Sequence, residues 1–325
     1  MSDTPLPRRD LLRNATLAAA ALVLRAPLTA CERETSRAPE TERLAASPPT
    51  DPDHARLTDW TATLRAEGLS GSESPLGHGA TRVGELAAGT PYEASTLDWY
   101  LRSGGSASAS EPLTLSLTRF DCVTLVEACL AVARLADNEG APTWERFGRE
   151  VESMRYRGGE RRGYTSRLHY FSEWIADGER RGLLQDLGAE LAGVEDRRPL
   201  RFMTEHRGSY PALAEEGVFR EIGAIERRLD GRARRVVPTA RIAEVAGRIE
   251  TGDVLAFATA IAGLDVTHAA FAYRDAEGIL RVLHAPLSGG VVEVTRATLP
   301  EYVAAIRRST GILVARPLRG VTRAG

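Results

Sequence analysis

The chain has 325 residues, of which 43% are hydrophobic and 26% charged, and its formal net charge is −2. This balance excludes a mostly disordered or collagen-like chain, and the charge gives no electrostatic case for binding nucleic acid. All 42 basic residues are arginine, which excludes lysine-based mechanisms such as a Schiff base. The three cysteines are too few for a disulfide scaffold.

The first segment, residues 1–31, has the pattern of an export signal. Arg8 and Arg9 resemble the start of a twin-arginine signal, and the apolar run that follows spans about 15 Å as a helix, half of a bilayer core. Residues 28–31 resemble a bacterial lipobox, so we expect Cys31 to be lipidated and to hold the protein on a membrane. A plain secretory signal with a chance cysteine is the alternative. Both predict a location in the periplasm or cell envelope.

Residues 32–56 are rich in Glu, Arg, Pro, Thr and Ser, and this composition predicts a disordered tether. Residues 57–322 then form a single predicted domain. Its first two thirds are mainly helical. The predicted helices are 57–67, one that starts at Cys122, 143–156 and 171–184, with turn-rich or flexible stretches at 71–79 and 103–110 and a short β-like stretch at 113–117.

The C-terminal third changes to a β pattern. Strands are predicted at 253–258, 268–273, 279–284, 291–294 and 312–316, with a short helix at 300–308. The polar residues 274–278, which end in glycine, predict a hairpin between the second and third of these strands. Helices followed by an antiparallel sheet indicate an α+β fold.

Cys122 is the candidate nucleophile. Asp121 is a good N-cap, so Cys122 is expected at the first position of a buried helix, where the helix dipole lowers a thiol pKa and free N–H groups can bind an oxyanion. A buried structural cysteine is the alternative, and Cys129, two turns further along the same face, fits that description.

Two histidines are the best candidates for the base and its orienting partner. In a hairpin centred on Ala276, His268 and His284 face each other directly, and opposed side chains share one face of the sheet. A register slip of one residue would separate them. Asp265 is a second candidate orienter, with a role as a loop residue as its alternative. Asparagine is nearly absent from the chain, which argues against a Cys–His–Asn triad.

Several ordered motifs resemble the N-acetylmuramoyl-L-alanine amidase-like family, a branch of the NlpC-type papain-like cell-wall hydrolases. They include Gly-Thr-Pro-Tyr at 89–92, Phe-Asp-Cys-Val-Thr at 120–124 with Glu127, and Asp-Val-Thr-His at 265–268. Further matching stretches are 155–159, 164–171, 251–254 and 283–285, so the resemblance covers roughly residues 85–318.

The resemblance implies a papain-like core with a helical insertion, in which the nucleophile at a helix N-terminus packs on the antiparallel sheet. It implies Cys122 as nucleophile, His268 as base and His284 as orienter, acting on an amide of peptidoglycan or a muropeptide without a metal or cofactor. The further candidate substrate contacts are Tyr92, Arg157, Arg167, His169 and Asp265. For the arginines and His169, a structural salt-bridge cluster is the alternative, and for Tyr92 it is simple packing.

Three alternatives remain open at this point. The first concerns the cleaved bond, which could be MurNAc–L-Ala or the γ-D-Glu–diaminopimelate bond of other NlpC-type enzymes. A zinc amidase with Cys122, His268 and His284 as ligands is a second enzyme class, although no zinc-binding spacing supports it. A lipoprotein that binds wall fragments without cleaving them is the third.

Overall fold

The structure, a computed structural model, describes residues 46–108, 111–287 and 290–319. The predicted signal and its lipobox cysteine, Cys31, lie outside the described residues. The α-helices are α1 (Asp51–Ala66), α2 (Leu76–Leu86), α3 (Trp99–Arg102), α4 (Cys122–Asp137), α5 (Trp144–Arg155), α6 (Phe171–Arg180), α7 (Phe202–Glu205), α8 (Glu216–Leu229), α9 (Ile242–Val245) and α10 (Leu299–Ala305).

The strands form one antiparallel sheet. They are β1 (Leu184–Asp186), β2 (Val194–Asp196), β3 (Arg234–Pro238), β4 (Val254–Thr259), β5 (Val266–Arg274), β6 (Leu280–His284), β7 (Glu293–Val294) and β8 (Ser309–Pro317). Their order across the sheet is β2-β3-β8-β4-β5-β6-β7, and β1 pairs with β8. Mixed helices and an antiparallel sheet confirm the predicted α+β class.

The central strands are buried on both faces. In β4, Val254, Ala256 and Ala258 point into a core shared with α1, α2, α4 and α5, whereas Leu255 and Phe257 point into a second core covered by α9 and α10. Alternation along a strand sends successive side chains to opposite faces, so one strand supplies both cores. A third apolar cluster lies mostly within the mainly helical stretch from Tyr164 to Leu229 and also includes Ala107.

Helix α4 is the central helix of the larger core. It contacts α1, α2, α5 and β5, and nearly all of it after the first turn is buried. One ion pair lies inside this core: Arg155 donates to Glu127 with both its Nε and Nη2 at 2.8 Å from Oε2. The same guanidinium donates to the backbone oxygen of Thr114 at 2.7 Å. The buried charge of Glu127 therefore has a partner that also holds the chain leading to Cys122.

The predicted tether extends too far along the chain. Residues 51–56 are helical, because Thr50 caps α1 and forms a capping box with Asp53, and a proline stands in the first turn. Asp53 is itself buried, and its Oδ1 accepts a 2.8 Å hydrogen bond from the N–H of Leu117. The tether prediction is therefore wrong from residue 46 onward, because Ala46 bridges to Leu113 and Ser47 accepts from the N–H of Leu115.

The β-like stretch at 113–117 is also not a strand. Among the described residues it forms one isolated bridge, between Leu113 and Ala46, and is otherwise held by Asp53 and by Ser47. The predicted turn-rich stretch at 71–79 ends inside α2, which begins at Leu76. The predicted helix at 171–184 is shorter, since α6 ends at Arg180 and Leu184 begins β1.

Helix α2 meets the loop before β4 at a glycine contact. Gly252 has φ +91°, and a Cβ built there would lie 2.2 Å from the backbone carbon of Gly77. A Cβ at Gly77 would in turn lie 2.8 Å from the carbonyl oxygen of Gly252. Both positions need glycine, because no side chain fits between the two backbones.

Candidate active site

Cys122 is the first residue of α4, as the sequence predicts. Asp121 caps the helix: its Oδ1 accepts from the N–H groups of Val123 at 3.0 Å and Thr124 at 2.8 Å, and the Thr124 hydroxyl oxygen accepts from the Asp121 backbone N–H at 2.8 Å. Two of the first-turn N–H groups are thus occupied by the cap. The N–H of Cys122 itself is the remaining first-turn donor beside its own thiol.

The strand β5 brings His268 beside this helix start. The backbone N–H of Ala269, the next residue along β5, points at the Cys122 thiol. His268 is buried and stacks on Phe257 with ring centroids 5.6 Å apart. The imidazole is therefore held in one plane by packing.

His268 and His284 meet although the predicted register is wrong. The strands β5 and β6 pair Phe271 with Leu283 and Tyr273 with Arg281, so the hairpin is centred on Glu277 and not on Ala276. His284 is then a diagonal neighbour of His268 and not its direct partner. A displacement of two residues preserves the face of the sheet, and Nε2 of His268 lies 2.8 Å from Nδ1 of His284.

Each imidazole uses one nitrogen in this contact and keeps the other free. His268 Nδ1 and His284 Nε2 are both buried and have no hydrogen-bond partner among the described residues. The nearest charged group to His284 Nε2 is the Glu293 carboxylate, with Oε1 at 3.8 Å. The Tyr302 hydroxyl lies 3.4 Å from His284 Nδ1.

Burial keeps all three candidate groups neutral. It raises the pKa of Cys122 to about 12, with Asp121 acting in the same direction and the N–H groups of Ala269, Val123 and Cys122 opposing it. Burial and the neighbouring His284 lower the pKa of His268 to about 3, and burial lowers the pKa of His284 to about 4. Desolvation and Asp121 thus outweigh the N–H groups of the helix start, so the net direction of the thiol pKa is opposite to the expected lowering.

Two tyrosines lie near the thiol, and one of them, Tyr92, bridges to Phe120, two residues before Cys122. Burial, followed by the charges of Cys122 and Asp121, raises the pKa of Tyr92. Burial, followed by Cys122 and Glu293, raises the pKa of Tyr302 to about 12. Both phenols are therefore protonated donors close enough to the thiol to interact with its charge. The structure thus brings the predicted Tyr92 to Cys122, and it adds Tyr302 from α10.

The predicted substrate contacts Arg157 and Arg167 are engaged inside the protein. Arg157 forms a two-pronged pair with Glu173 at 2.7 and 2.9 Å, and Arg167 donates to Asp98 at 2.7 Å while lying 3.5 Å from Glu111. Their guanidinium groups are not free to take a carboxylate of a ligand. The alternative interpretation, a structural salt-bridge cluster, describes them.

His169 belongs to the same cluster. Its Nε2 donates to the backbone oxygen of Tyr164 at 2.9 Å, and burial next to Arg167 holds its pKa well below the usual range. A neutral, hydrogen-bonded imidazole of this kind shapes the turn that precedes α6. The prediction of a substrate contact at His169 is not supported by this placement.

Asp265 neither orients a histidine nor faces the thiol. It is buried, and its Oδ2 accepts a 2.8 Å hydrogen bond from the N–H of Ser172 in the first turn of α6. Its Oδ1 accepts from Val266 at 2.8 Å. Because the N-cap residue of α6, Tyr170, makes no side-chain cap, Asp265 satisfies that helix end from a distant part of the chain.

Sequence reasoning missed Tyr302, Glu293 and Phe257. Glu293 had a usable signal, because it lies in a predicted strand next to the one that ends at His284, and the structure pairs these two residues directly. Tyr302 and Phe257 had none, since their approach to the histidines depends on how α10 and β4 pack. No group of three or more metal-ligating side chains comes together within residues 46–108, 111–287 and 290–319.

Comparison with known proteins identifies relatives of this chain and its fold. The model of a family described as AmiA-like, N-acetylmuramoyl-L-alanine amidase-like, matches residues 82–312, more than half of the chain. A crystal structure of an N-acetylmuramoyl-L-alanine amidase from Bacteroides uniformis is 31% identical, covering 75% of this chain and 99% of its own, with a TM-score of 0.67. No curated protein matches significantly.

Two further solved structures are similar. A Bacteroides fragilis protein provisionally assigned as a xylanase is 31% identical with a TM-score of 0.65, covering 72% of this chain and 99% of its own. A Legionella pneumophila protein is 18% identical with a TM-score of 0.59, covering 82% of this chain and 94% of its own, and this likeness concerns the fold alone.

Proposed function

Because the chain belongs to the AmiA-like family of N-acetylmuramoyl-L-alanine amidase-like proteins, we propose that it is a cysteine amidase of peptidoglycan. The family supports a hydrolase that acts on peptidoglycan, and the proposal adds the mechanism and the bond. Cys122 is the nucleophile, His268 the base and His284 its orienter. The bond is the amide between the lactyl group of MurNAc and L-Ala, the bond named for the Bacteroides uniformis neighbour.

One observation carries the proposal: a hydrogen-bonded pair of buried histidines lies beside a thiol at a helix start. The 2.8 Å contact uses Nε2 of His268, so its buried Nδ1 has no hydrogen-bond partner among the described residues and is the nitrogen available to act as the base. A nucleophile, a base and a group that orients the base are the parts needed for covalent amide cleavage. The arrangement of a helix start packed on an antiparallel sheet also supports the papain-like core that the resemblance implies.

The neutral ground state determines the first step. With the pKa of Cys122 raised to about 12 and that of His268 lowered to about 3, the pair does not rest as a thiolate and imidazolium. The Sγ proton passes to His268 Nδ1 as Sγ attacks the amide carbon, so general-base catalysis accompanies bond formation. The negative charge then moves to the substrate oxygen.

The oxyanion meets donors that are already in place. The Cys122 N–H lies at the positive end of α4, and Tyr92 is a protonated phenol near the same thiol. His268 gives its proton to the departing amine of L-Ala, leaving a thioester on Sγ. Water then loses a proton to His268 and attacks the thioester, which releases the lactyl carboxylic acid and restores the thiol.

A xylanase activity, suggested by the Bacteroides fragilis neighbour, fits the site less well. Glycosidases generally need two carboxyl groups on either side of the scissile bond. Here the groups around Cys122 are imidazoles and phenols, and the carboxylate of Asp121 is used to cap α4. The zinc alternative is also weakened, because the two histidines direct one nitrogen each at the other and not at a shared metal.

We further propose that the protein is exported and held on a membrane through lipidated Cys31, with residues 32–45 as its tether. The twin-arginine pattern and the lipobox support this proposal. No helix among the described residues is long and apolar enough to cross a bilayer. Metabolic labelling with a palmitate analogue tests the anchor. Loss of the label in Cys31→Ala is the expected result, and a label that persists would overturn it.

Digestion of defined muropeptides, with and without the sugar, tests the cleavage. The full chain is incubated with each substrate, and the masses of the products are measured by mass spectrometry. Free disaccharide plus intact peptide is the expected result, and it is lost in Cys122→Ala. Cys129→Ala is the matched control, because Cys129 is a buried thiol on the same helix and should retain activity.

Other products would favour one of the alternative functions. If L-Ala–D-Glu stays on the sugar, the enzyme is a γ-D-Glu–diaminopimelate endopeptidase. If the unsubstituted chain cuts no substrate, the binding lipoprotein replaces the amidase. If Cys122→Ala cuts as fast as the unmodified chain, Cys122 is not the nucleophile.

A further inference from the structure

Glu293 is placed to act on the histidine pair from the far side. It lies on β7 directly opposite His284 on β6, so the two side chains share a face of the sheet. Its Oε1 is 3.8 Å from His284 Nε2, the buried nitrogen that has no hydrogen-bond partner among the described residues. The carboxylate is about half exposed whereas His284 is only 3% exposed, so Glu293 connects the buried pair to solvent.

The 2.8 Å contact between the imidazoles allows two arrangements of hydrogen. In the first, His268 Nε2–H donates to His284 Nδ1, so His284 carries its proton on Nε2 and His268 Nδ1 has a free lone pair. In the second, His284 Nδ1–H donates to His268 Nε2, and His268 carries its proton on Nδ1. Only the first arrangement leaves His268 able to accept the Cys122 proton.

The chemistry of a carboxylate distinguishes these two arrangements. An ionised carboxylate only accepts hydrogen bonds, so it favours a proton on His284 Nε2 and repels a lone pair there. We propose that Glu293 is a positioning residue that holds the His284–His268 pair in the first arrangement and thereby keeps His268 Nδ1 free as the base. The kinetic part of this inference rests on the proposed amidase function.

Tyr302 lies at the other nitrogen of His284. Its hydroxyl is 3.4 Å from His284 Nδ1 and can either donate to that nitrogen or accept from it, so it fits both arrangements. The imidazole ring of His284 also meets the Tyr302 ring edge-on, with centroids 5.3 Å apart. Glu293, whose carboxylate only accepts, therefore distinguishes the two arrangements, whereas Tyr302 does not.

The test exchanges the carboxylate for an amide of the same shape. Glutamine can accept from Nε2–H or donate to a bare Nε2, so Glu293→Gln removes the preference without removing the contact. Glu277→Gln is the matched control, an equal change of charge in the exposed tip of the neighbouring hairpin. The full chain, labelled with ¹⁵N-histidine, is measured by long-range ¹H–¹⁵N correlation, with His284→Gln used for assignment.

In the unsubstituted chain and in Glu277→Gln we expect both His284 and His268 to carry hydrogen on Nε2. In Glu293→Gln we expect the second arrangement to become populated, and kcat on muropeptides to fall about 2- to 5-fold with KM unchanged, the range of a partly exposed charge pair. Hydrogen on Nδ1 of His284 in the unsubstituted chain, or identical tautomers in Glu293→Gln, would overturn the inference.

The two proposals fail in different ways. If the tautomers respond to Glu293→Gln but no muropeptide is cut by the unsubstituted chain, the amidase mechanism fails and the role of Glu293 in setting the tautomer stands. If muropeptides are cut but the tautomers do not respond, Glu293 has no positioning role. An equal fall of kcat in Glu277→Gln would show a general effect of charge and would also overturn it.

Discussion

Replacing Glu127 tests how strongly its buried ion pair with Arg155 stabilises the helix that begins at Cys122. Glu127 and Arg155 expose only 2% and 4% of their side chains, and their contact is at 2.8 Å. Glu127→Gln leaves the guanidinium buried without its counter-charge. Breaking a buried pair from one side costs about 3–5 kcal/mol. At about 2–4 °C per kcal/mol for a domain of this size, Tm should fall by about 6–20 °C.

Thermal unfolding followed by circular dichroism measures this shift. The matched control is Glu67→Gln, which breaks a pair of similar geometry with Arg82 at 2.8 Å whose partners are 39% and 33% exposed. Solvent screens that pair, so the control should change Tm only slightly. The double variant Glu127→Met with Arg155→Met should recover most of the lost Tm, because no buried charge is then left without its partner. Equal shifts in Glu127→Gln and Glu67→Gln would refute the argument from burial.

The other predictions concern packing, a helix cap and pH. Gly252→Ala should lower the free energy of unfolding, measured in urea, by about 3 kcal/mol or more, since its Cβ would overlap Gly77. A Cβ at Gly247 meets nothing within 4 Å, so the control Gly247→Ala should fold normally. Equal urea midpoints for the two variants would contradict the close contact. Asp265→Ala should lower the free energy of unfolding by about 1–2 kcal/mol by uncapping α6, while the folded protein still cleaves its substrate. Loss of cleavage at unchanged stability would instead show that Asp265 orients a catalytic histidine. His268 and His284 are neutral when folded and take up protons when unfolded as the pH falls through 6.5, so the free energy of unfolding should fall from pH 6.5 to 5 by about 1.6 kcal/mol for each. An unchanged Tm over that range would show that they are not buried as neutral groups.

The hairpin shows how far a sequence pattern can be trusted. Polar residues ending in glycine located the turn between β5 and β6, and the placement of both histidines on one face is confirmed by their 2.8 Å contact. The predicted register is wrong, because β5 ends at Arg274 and β6 begins at Leu280. The loop therefore lies one residue further toward the C-terminus than predicted. The conclusion survived because a displacement of the loop centre by one residue shifts the pairing by two, which preserves the face.

The arginine cluster shows the opposite case. Arg157 and Arg167 stand in a motif that resembles the family signature, and their charge fits a carboxylate ligand as well as an internal one. Their carboxylate partners, Glu173 for the first and Asp98 and Glu111 for the second, are not identifiable from spacing. Sequence reasoning could therefore state both alternatives but could not choose between them.

The sequence by itself determined what depends on neighbouring residues: the N-cap before Cys122, the amphipathic pattern of α4, the order of helices and strands, and the motifs by which the family match over residues 82–312 confirms the resemblance. Only the tertiary structure decided the pairing of Asp265 with α6, the approach of Tyr302 and Glu293 to the histidines, and the neutral state of the thiol. These features depend on desolvation and on contacts between residues far apart in the chain, and neither quantity is encoded in local spacing.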